Sequence, residues 1–583
     1  MREVGRATRL PILSSVTLPR REKEWRMSNP YDVERTWPDY FLEHRRRTVE
    51  MQGTYRCGDL PVWTIHCPLG YLGNATVIEG DDGLIVYDTG VNAEAGAHIA
   101  DEIRSISDKP VKAIFYSHHH GDHYNGTSAI VDQAVVDSGE VTIYAWENFE
   151  PERANEFGEI GVRQALGVAY YGGAFLPPED LHHHGIGLLP SGGTAGYIAP
   201  TALLSGDTSL TIAGVELEVF YTGGEAISEF GIHIPEFDMV IIADEFFTGI
   251  PNMHTIRGSK PRLPDNYLGA LDRVLAIGPE WLLGSHIMPI QGKEEIVRTV
   301  ARYRDATQYL WDQSIRLINK GYTPVELQHA LQDLPDHLVE PPYSVPMYGT
   351  PVTAVPEFFT GWVSWFNGDS TELFPSEPKS RATRFVALMG GTDVVLDEAK
   401  RAHADGDHQF AAELAQLVVR SEPDLEDAKH VKAAALRALG YKQLNPIMRS
   451  WYLTGALELE GSIDPDQILG AMLEMLAAQE SARETVAGWR YLLDADRAGT
   501  LDLSIGIQPK ESEEPFTVHL RNSVLTVEDG VREDADAVIE LSAEGVRAMD
   551  TDLANTVTGD PGAYARLLDL LDTEVVGFYM HQR

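Results

Sequence analysis

Residues 117–126 read Ser-His-His-His-Gly-Asp-His-Tyr-Asn-Gly, and within them His118, His120, Asp122 and His123 form an H-x-H-x-D-H array. Imidazole and carboxylate are the ligands that Zn²⁺ and similar divalent ions prefer. Four of them in six residues are hard to account for as decoration of a surface loop. An alternating pair such as His118 and His120 can reach one ion from a strand end or a tight loop. Asp122 and His123 then point elsewhere, which suits a second ion close by. Such an array serves hydrolysis: two ions about 3.5–4 Å apart lower the pKa of a shared water toward ~7.

These ligands need a rigid platform. The apolar run over 111–116 reads as a buried strand that ends at the histidines. Residues 74–80 and 83–90 read as two strands joined by the Asp81-Asp82-Gly83 turn, with a helix over 93–107 leading to the strand of the array. Further strands are expected at 62–66, 141–145, 238–242 and 281–286, the last ending in a lone histidine, and a hairpin at 209–212 and 215–221 about Ala213-Gly214. A polar helical insert follows the 141–145 strand to about Gly173. Residues 177–200 are loop-rich and contain His182, His183 and His184. Three consecutive histidines lack the alternation that presents two rings to one ion, so they read as exposed loop residues. From about Ser376 to Ala477 apolar residues recur at helical spacing, as in stacked helix pairs. Beyond Ala478 a helix and four alternating segments, 501–507, 516–521, 523–528 and 537–541, suggest a small α+β domain.

The chain resembles the metallo-β-lactamase superfamily and, within it, the alkylsulfatases, also called type III sulfatases. Besides the array, the resemblance rests on Gly224-Glu225-Ala226-x-x-Glu229-Phe230 and on N-x-x-T-x-R-G as Asn252, Thr255, Arg257 and Gly258. It also rests on Gly284-x-His286-x-x-Pro289-x-x-Gly292 and on the stretches 385–391 and 451–456. It covers nearly the whole chain. It implies an α/β fold, a metallo-β-lactamase αββα sandwich followed by an all-α dimerisation domain and a small α+β sterol-carrier-like domain. The implied boundaries are an N-terminal arm at 1–50, the catalytic domain at 51–375, the dimerisation domain at 376–477 and the last domain at 478–583.

For the site, the resemblance implies two Zn²⁺ per chain. His118, His120 and Glu225 would hold one ion, Asp122, His123 and His286 the other, and Asp244 would bridge them. Close relatives carry glutamate at the bridge, so Asp244 is a departure, and neighbouring Glu245 is the less favoured substitute. Asp88, at the end of the 83–90 strand, would accept hydrogen bonds that buttress the histidines. Asn252, Thr255 and Arg257 resemble the family's sulfate clamp, and His254 reads as pocket lining. The implied reaction is hydrolysis of alkyl sulfate esters of the dodecyl sulfate kind to alcohol and sulfate. A sulfate monoester is a poor, anionic electrophile, and the planar fork of Arg257 with the neutral donor of Asn252 suits its oxyanion. No Cys-x-Pro-x-Arg block is present for the formylglycine class of sulfatases. The alternatives are a same-fold hydrolase of aryl sulfates, phosphodiesters, lactams or thioesters, and a lipid-binding protein with a vestigial metal site.

At 583 residues the chain is too long for one core. Its formal net charge of −41 argues against nucleic acid and anionic membranes as partners. An anionic substrate therefore requires a local basic pocket. Cys57 and Cys67 imply no disulfide framework, and no apolar run reaches the roughly 18 residues of a membrane span. Residues 1–27 are Arg-rich, with an apolar stretch at 10–13 too short for a signal-peptide core, and Met27 is an alternative start. The expectation is a cytoplasmic homodimer acting on a small alkyl sulfate, without nucleic acid or membrane insertion.

Overall fold

In the computed structural model of the chain the described residues are 29–582 other than 32, 159, 182, 191, 465–480, 511–513, 550, 552–554 and 574–577. A short helix, α1 (Asp39–Arg45), precedes a seven-stranded sheet. Its strands are β1 (Gly53–Arg56), β2 (Val62–His66), β3 (Ala75–Glu79), β4 (Leu84–Tyr87), β5 (Val111–Phe115), β6 (Thr142–Trp146) and β7 (Ala202–Leu204), paired in that order. The first four form an antiparallel meander; β4 to β7 are parallel. Helix α2 (Ala93–Ile106) makes the crossover from β4 to β5.

Strand β4 and the 113–115 part of β5 are covered on both faces, which is why they are unbroken apolar runs, while Lys112 near the start of β5 is half-buried. Leu84, Val86 and Ile114 pack on Ile99 and Ile103 of α2. Ile85, Tyr87 and Phe115 point the other way, into the interface with a second sheet. That sheet holds β8 (Thr208–Ile212), β9 (Val215–Tyr221), β10 (Phe230–Ile234), β11 (Met239–Ile241), β12 (Trp281–Leu283) and β13 (Ile290–Gln291), hydrogen-bonded in the order β13-β12-β11-β10-β9-β8. Along β9, Val215, Leu217 and Val219 face inward while Glu216 and Glu218 face out, the period of two that a half-solvated strand requires. Two helices, α5 (Pro264–Ile277) and α6 (Lys293–Ile318), cover the outer face through Leu271, Val274, Ile296 and Val300. The result is the expected αββα sandwich. The polar insert after β6 folds as α3 (Phe149–Gly158) and α4 (Gly161–Gly172).

The helical block comprises α7 (Pro351–Trp362), α8 (Pro378–Leu388), α9 (Thr392–Ala404), α10 (His408–Ser421), α11 (Glu426–Lys442) and α12 (Pro446–Leu459). Small residues such as Ala411, Ala415, Ala433 and Ala435 are fully buried where these helices meet. The expected end of this block, 465–477, lies outside the described residues. The last domain is a five-stranded sheet, β16-β15-β14-β17-β18, built from β14 (Leu503–Pro509), β15 (Phe516–Arg521), β16 (Val524–Asp529), β17 (Ala537–Leu541) and β18 (Asn555–Gly559). It packs around Trp489 and Tyr564.

Beyond that sheet, residues 578–582 return to the rest of the molecule. The Glu458 carboxylate on α12 accepts the backbone amides of Met580 (2.9 Å), His581 (2.7 Å) and Gln582 (3.1 Å) and the Tyr170 hydroxyl. Phe578 and Met580 pack on Val162, Ala165 and Leu166 of α4.

Candidate metal centre

The chemistry-bearing residues sit at the C-terminal ends of strands. Asp88 follows β4, the array follows β5, Asp244 follows β11 and His286 follows β12. The strand exit at Asp88 has φ of 63°, a conformation uncommon for any residue but glycine. Its carboxylate is the hub that holds the array. Oδ1 accepts from the Ser117 amide at 2.8 Å, and Oδ2 accepts from the Ser117 hydroxyl (3.0 Å), the Ser285 hydroxyl (2.7 Å) and His123 Nδ1 (2.8 Å). Asp88 thereby fixes the tautomer and the aim of His123.

His123 Nε2 faces Asp122 Oδ2 at 3.3 Å and Asp244 Oδ2 at 3.5 Å, and His286 Nε2 faces the same two oxygens at 3.3 and 3.0 Å. The Gly73 amide donates to His286 Nδ1 at 3.2 Å and so turns Nε2 inward. Gly73 itself has φ of 88°, and a Cβ there would lie 2.6 Å from the Asp122 carbonyl, so the close approach excludes any side chain. His118 Nε2 lies 2.8 Å from His120 Nδ1 and 3.9 Å from Asp244 Oδ2. Three ligand groups emerge among the described residues: His118, His123 and Asp244; Asp122, His123 and His286; and His119, His120 and Glu156.

The donor set fits a divalent cation. Asp244 Oδ1 is buried without a hydrogen-bond partner, and His123 Nε2 and His286 Nε2 meet only the Asp122 and Asp244 carboxylates, a cluster of ligand atoms that a cation between them would satisfy. Burial alone would keep His286 neutral, but the Asp244 and Asp122 carboxylates raise its pKa to about 9. His123 is likewise held well above the usual imidazole range, with Asp122, Asp244 and Asp88 outweighing burial. A cation entering here would displace those protons.

Glu225 stands outside the three groups. Its carboxylate is held by Arg262, by the Tyr267 hydroxyl and by the Tyr348 hydroxyl at 3.0 Å. Arg262 also donates to the Asn252 carbonyl at 2.7 Å and so ties Glu225 to the clamp loop. Sequence reasoning missed Arg262, although it follows the clamp motif by four residues. It also gave Glu229 no role. That buried carboxylate accepts the amides of both Glu225 (3.1 Å) and Asp244 (2.7 Å) and so sets the two acidic loops against each other. Glu245, the less favoured bridge, accepts from the Gly224 amide at 2.7 Å. His254 pairs with Glu357 at 3.0 Å.

The clamp residues come together as a loop. Arg257 donates to Glu156 at 3.0 Å and to the Gly258 carbonyl, Asn252 donates to the Tyr171 hydroxyl at 2.8 Å, and Thr255 is fully buried. Arg257, Lys260 and Arg262 all lie on this one loop, and each is paired with a carboxylate, Glu156, Glu152 and Glu225 respectively, so an anion reaches one of these cations only by competing with its partner. Behind the loop, Gly167 of α4 admits no side chain, because a Cβ there would lie 2.3 Å from the Arg257 carbonyl.

The histidine run of the 177–200 loop is not exposed as expected. His182 lies outside the described residues, but His183 and His184 are buried. Phe41 and His44 of α1 pack against His183, which also meets the Thr48 hydroxyl. The His184 ring stands 4.4 Å from Tyr171 and 5.9 Å from Tyr348. Burial pushes its pKa down to about 3, and the charges of Asp122, Arg257 and His286 reach it. The loop is covered by segments distant in sequence, so its composition alone misled.

The family model described as metallo-beta-lactamase superfamily matches residues 69–286, and the one described as alkyl sulfatase dimerisation matches 323–462. The second begins ahead of the helical block expected at 376–477. Among curated proteins, a linear primary-alkylsulfatase from a Pseudomonas species is 35% identical over 468 residues, covering 78% of this chain and 88% of the relative. An (R)-specific secondary-alkylsulfatase from a Pseudomonas species is 28% identical over 520 residues, covering 86% of this chain and 78% of that protein. Among solved structures, the stereoselective inverting sec-alkylsulfatase Pisa1 from a Pseudomonas species matches with a TM-score of 0.84 at 26% identity, over 93% of this chain and 88% of that one.

Proposed function

Since this chain belongs to the alkylsulfatase family of the metallo-β-lactamase superfamily, we propose that its metal-dependent hydrolysis of alkyl sulfate esters acts on linear primary esters through two zinc ions. The observation that carries the reading is the convergence of the buried ligand atoms of His123, His286, Asp122 and Asp244 beside a loop carrying Arg257. The preference for primary esters follows the relative of higher identity, 35% against 28%.

Asp122, His123 and His286 would hold one ion, His118, His120 and Glu225 the other, with Asp244 between them. Glu225 is held beside the site by Arg262 and its two tyrosines and would bring a carboxylate oxygen to that ion. The chemistry that the ions supply when bound is activation of water at neutral pH and neutralisation of charge at the ester oxygens. The protein's own part is positioning. Asp88 orients His123, Glu229 holds the Glu225 and Asp244 loops at a fixed spacing, and Arg257 with Asn252 orients the sulfate group and stabilises charge developing on it. Purified protein is expected to carry about two equivalents of zinc and to release sulfate from octyl and dodecyl sulfate. Metal analysis with sulfate release tests this. One equivalent or none with full activity would sink the two-ion reading, and turnover confined to aryl sulfates would sink the substrate.

The chain is proposed to act as a homodimer. Trp362 (64% exposed), Trp365 (68%), Phe374 (97%) and Leu388 (82%) leave large apolar side chains in solvent, all inside the stretch matched by the dimerisation model. Exposed apolar groups concentrated in this way mark an interaction surface. Light scattering is expected to give twice the 64.5 kDa chain mass, and the double substitution Phe374→Glu with Leu388→Glu to give the monomer. A wild-type monomer at low micromolar concentration would reject the dimer.

A further inference from the structure

Helix α3 faces the clamp loop with two carboxylates one turn apart. Glu152 meets Lys260 at 2.6 Å, and Glu156 meets Arg257 at 3.0 Å. The first pair is half in solvent on the lysine side. The second is nearly buried, at 12% and 11% exposure for the two side chains. Glu156 Oε1 also lies 3.8 Å from His120 Nε2. Its carboxylate therefore stands between the clamp guanidinium and the histidine array, where an oxyanion shared by clamp and metal would have to sit.

We propose that Glu156 fills the anion position of the substrate-free protein and is displaced by the sulfate group, which makes it a residue that sets how tightly anions bind there. This rests on the reading of Arg257 as the sulfate contact. A carboxylate and a sulfate monoester offer the same fork of oxygens to a guanidinium, so the two compete for one partner. The resident carboxylate spares Arg257 a buried, unpaired charge. An incoming anion must release that pair, and small inorganic anions have no hydrocarbon tail to add binding elsewhere. The pair is thus a threshold that weakens the binding of every anion alike, and only an amphiphilic ester has a tail with which to offset it.

Glu156→Gln removes the charge with little change of shape. Measured on the full-length, metal-loaded protein, it is expected to lower both the KM for octyl sulfate and the Ki of inorganic sulfate about tenfold, equivalent to about 1.4 kcal/mol. Glu156→Asp, whose carboxylate is drawn back from Arg257 by one methylene, is expected to fall between. In an Arg257→Ala background Glu156→Gln is expected to give no such gain. A KM and Ki that rise or stay within twofold in both Glu156 variants would overturn the proposal, as would loss of bound metal, which would make Glu156 a ligand. If Arg257→Ala alone leaves turnover and KM within twofold, the clamp reading fails first and takes this proposal with it.

Discussion

His123→Ala is expected to reduce sulfate-ester hydrolysis by about 10³-fold or more and to leave less than one equivalent of metal on the protein. His123 is the one residue common to the Asp244 and His286 groups, so its loss removes a ligand at the centre of the site. Metal-supplied stabilisation of charge amounts to several kcal/mol, and about 4 kcal/mol corresponds to about 10³ in rate. The substitution also frees the Asp88 carboxylate from its 2.8 Å contact with Nδ1, leaving that buried acceptor to the serines and the backbone. The fold should persist, because the cores between the sheets and under α2 do not include this ring. Metal content, circular dichroism and turnover together check the expectation. Two retained equivalents of metal with activity within tenfold of wild type would show that His123 is structural.

Arg257→Ala should cost a comparable amount for a different reason. The guanidinium is nearly buried and carries the fork geometry that a tetrahedral oxyanion needs. Removing one such donor from a water-poor site typically costs about 10²–10³ in rate. Arg257→Lys should recover little, since a point charge does not reproduce two parallel N–H bonds. The loss in kcat/KM should be equal for octyl and dodecyl sulfate, because the two share a headgroup and differ only in tail. A penalty confined to the longer chain would move Arg257 from the headgroup to the tail.

The fold was legible wherever burial is two-sided and local. The runs at 83–90 and 111–116 became β4 and β5, whose doubly covered stretches, 84–87 and 113–115, are wholly apolar, and the hairpin about Ala213-Gly214 became β8 and β9. Asp88 could be placed from its position after a strand. Contacts between residues far apart in sequence were not legible. Glu225 and Arg262 form their buried pair from different elements, and no local pattern marks Arg262 as anything but another surface cation. His183 and His184 sit in a stretch rich in glycine and proline, and only the packing of α1 and of Tyr171 across them makes the stretch interior. Glu156 lies in a helix whose sequence reads as polar and solvated. Its role depends on where that helix is set down.

The contact between residues 578–582 and Glu458 has a consequence for how the molecule comes apart. Three consecutive amides end on one carboxylate of α12, and the neighbouring side chains lie on α4, whose Gly167 abuts the Arg257 carbonyl. These amides are therefore protected by the helical block and not by the five-stranded sheet that precedes them in the chain. Their opening is expected to accompany release of α12 and α4, so the unit that opens together would join segments far apart in the chain, the loop carrying Arg257 among them. Segments separated by more than a hundred residues would then exchange their hydrogens together, while the sheet between them opens on its own.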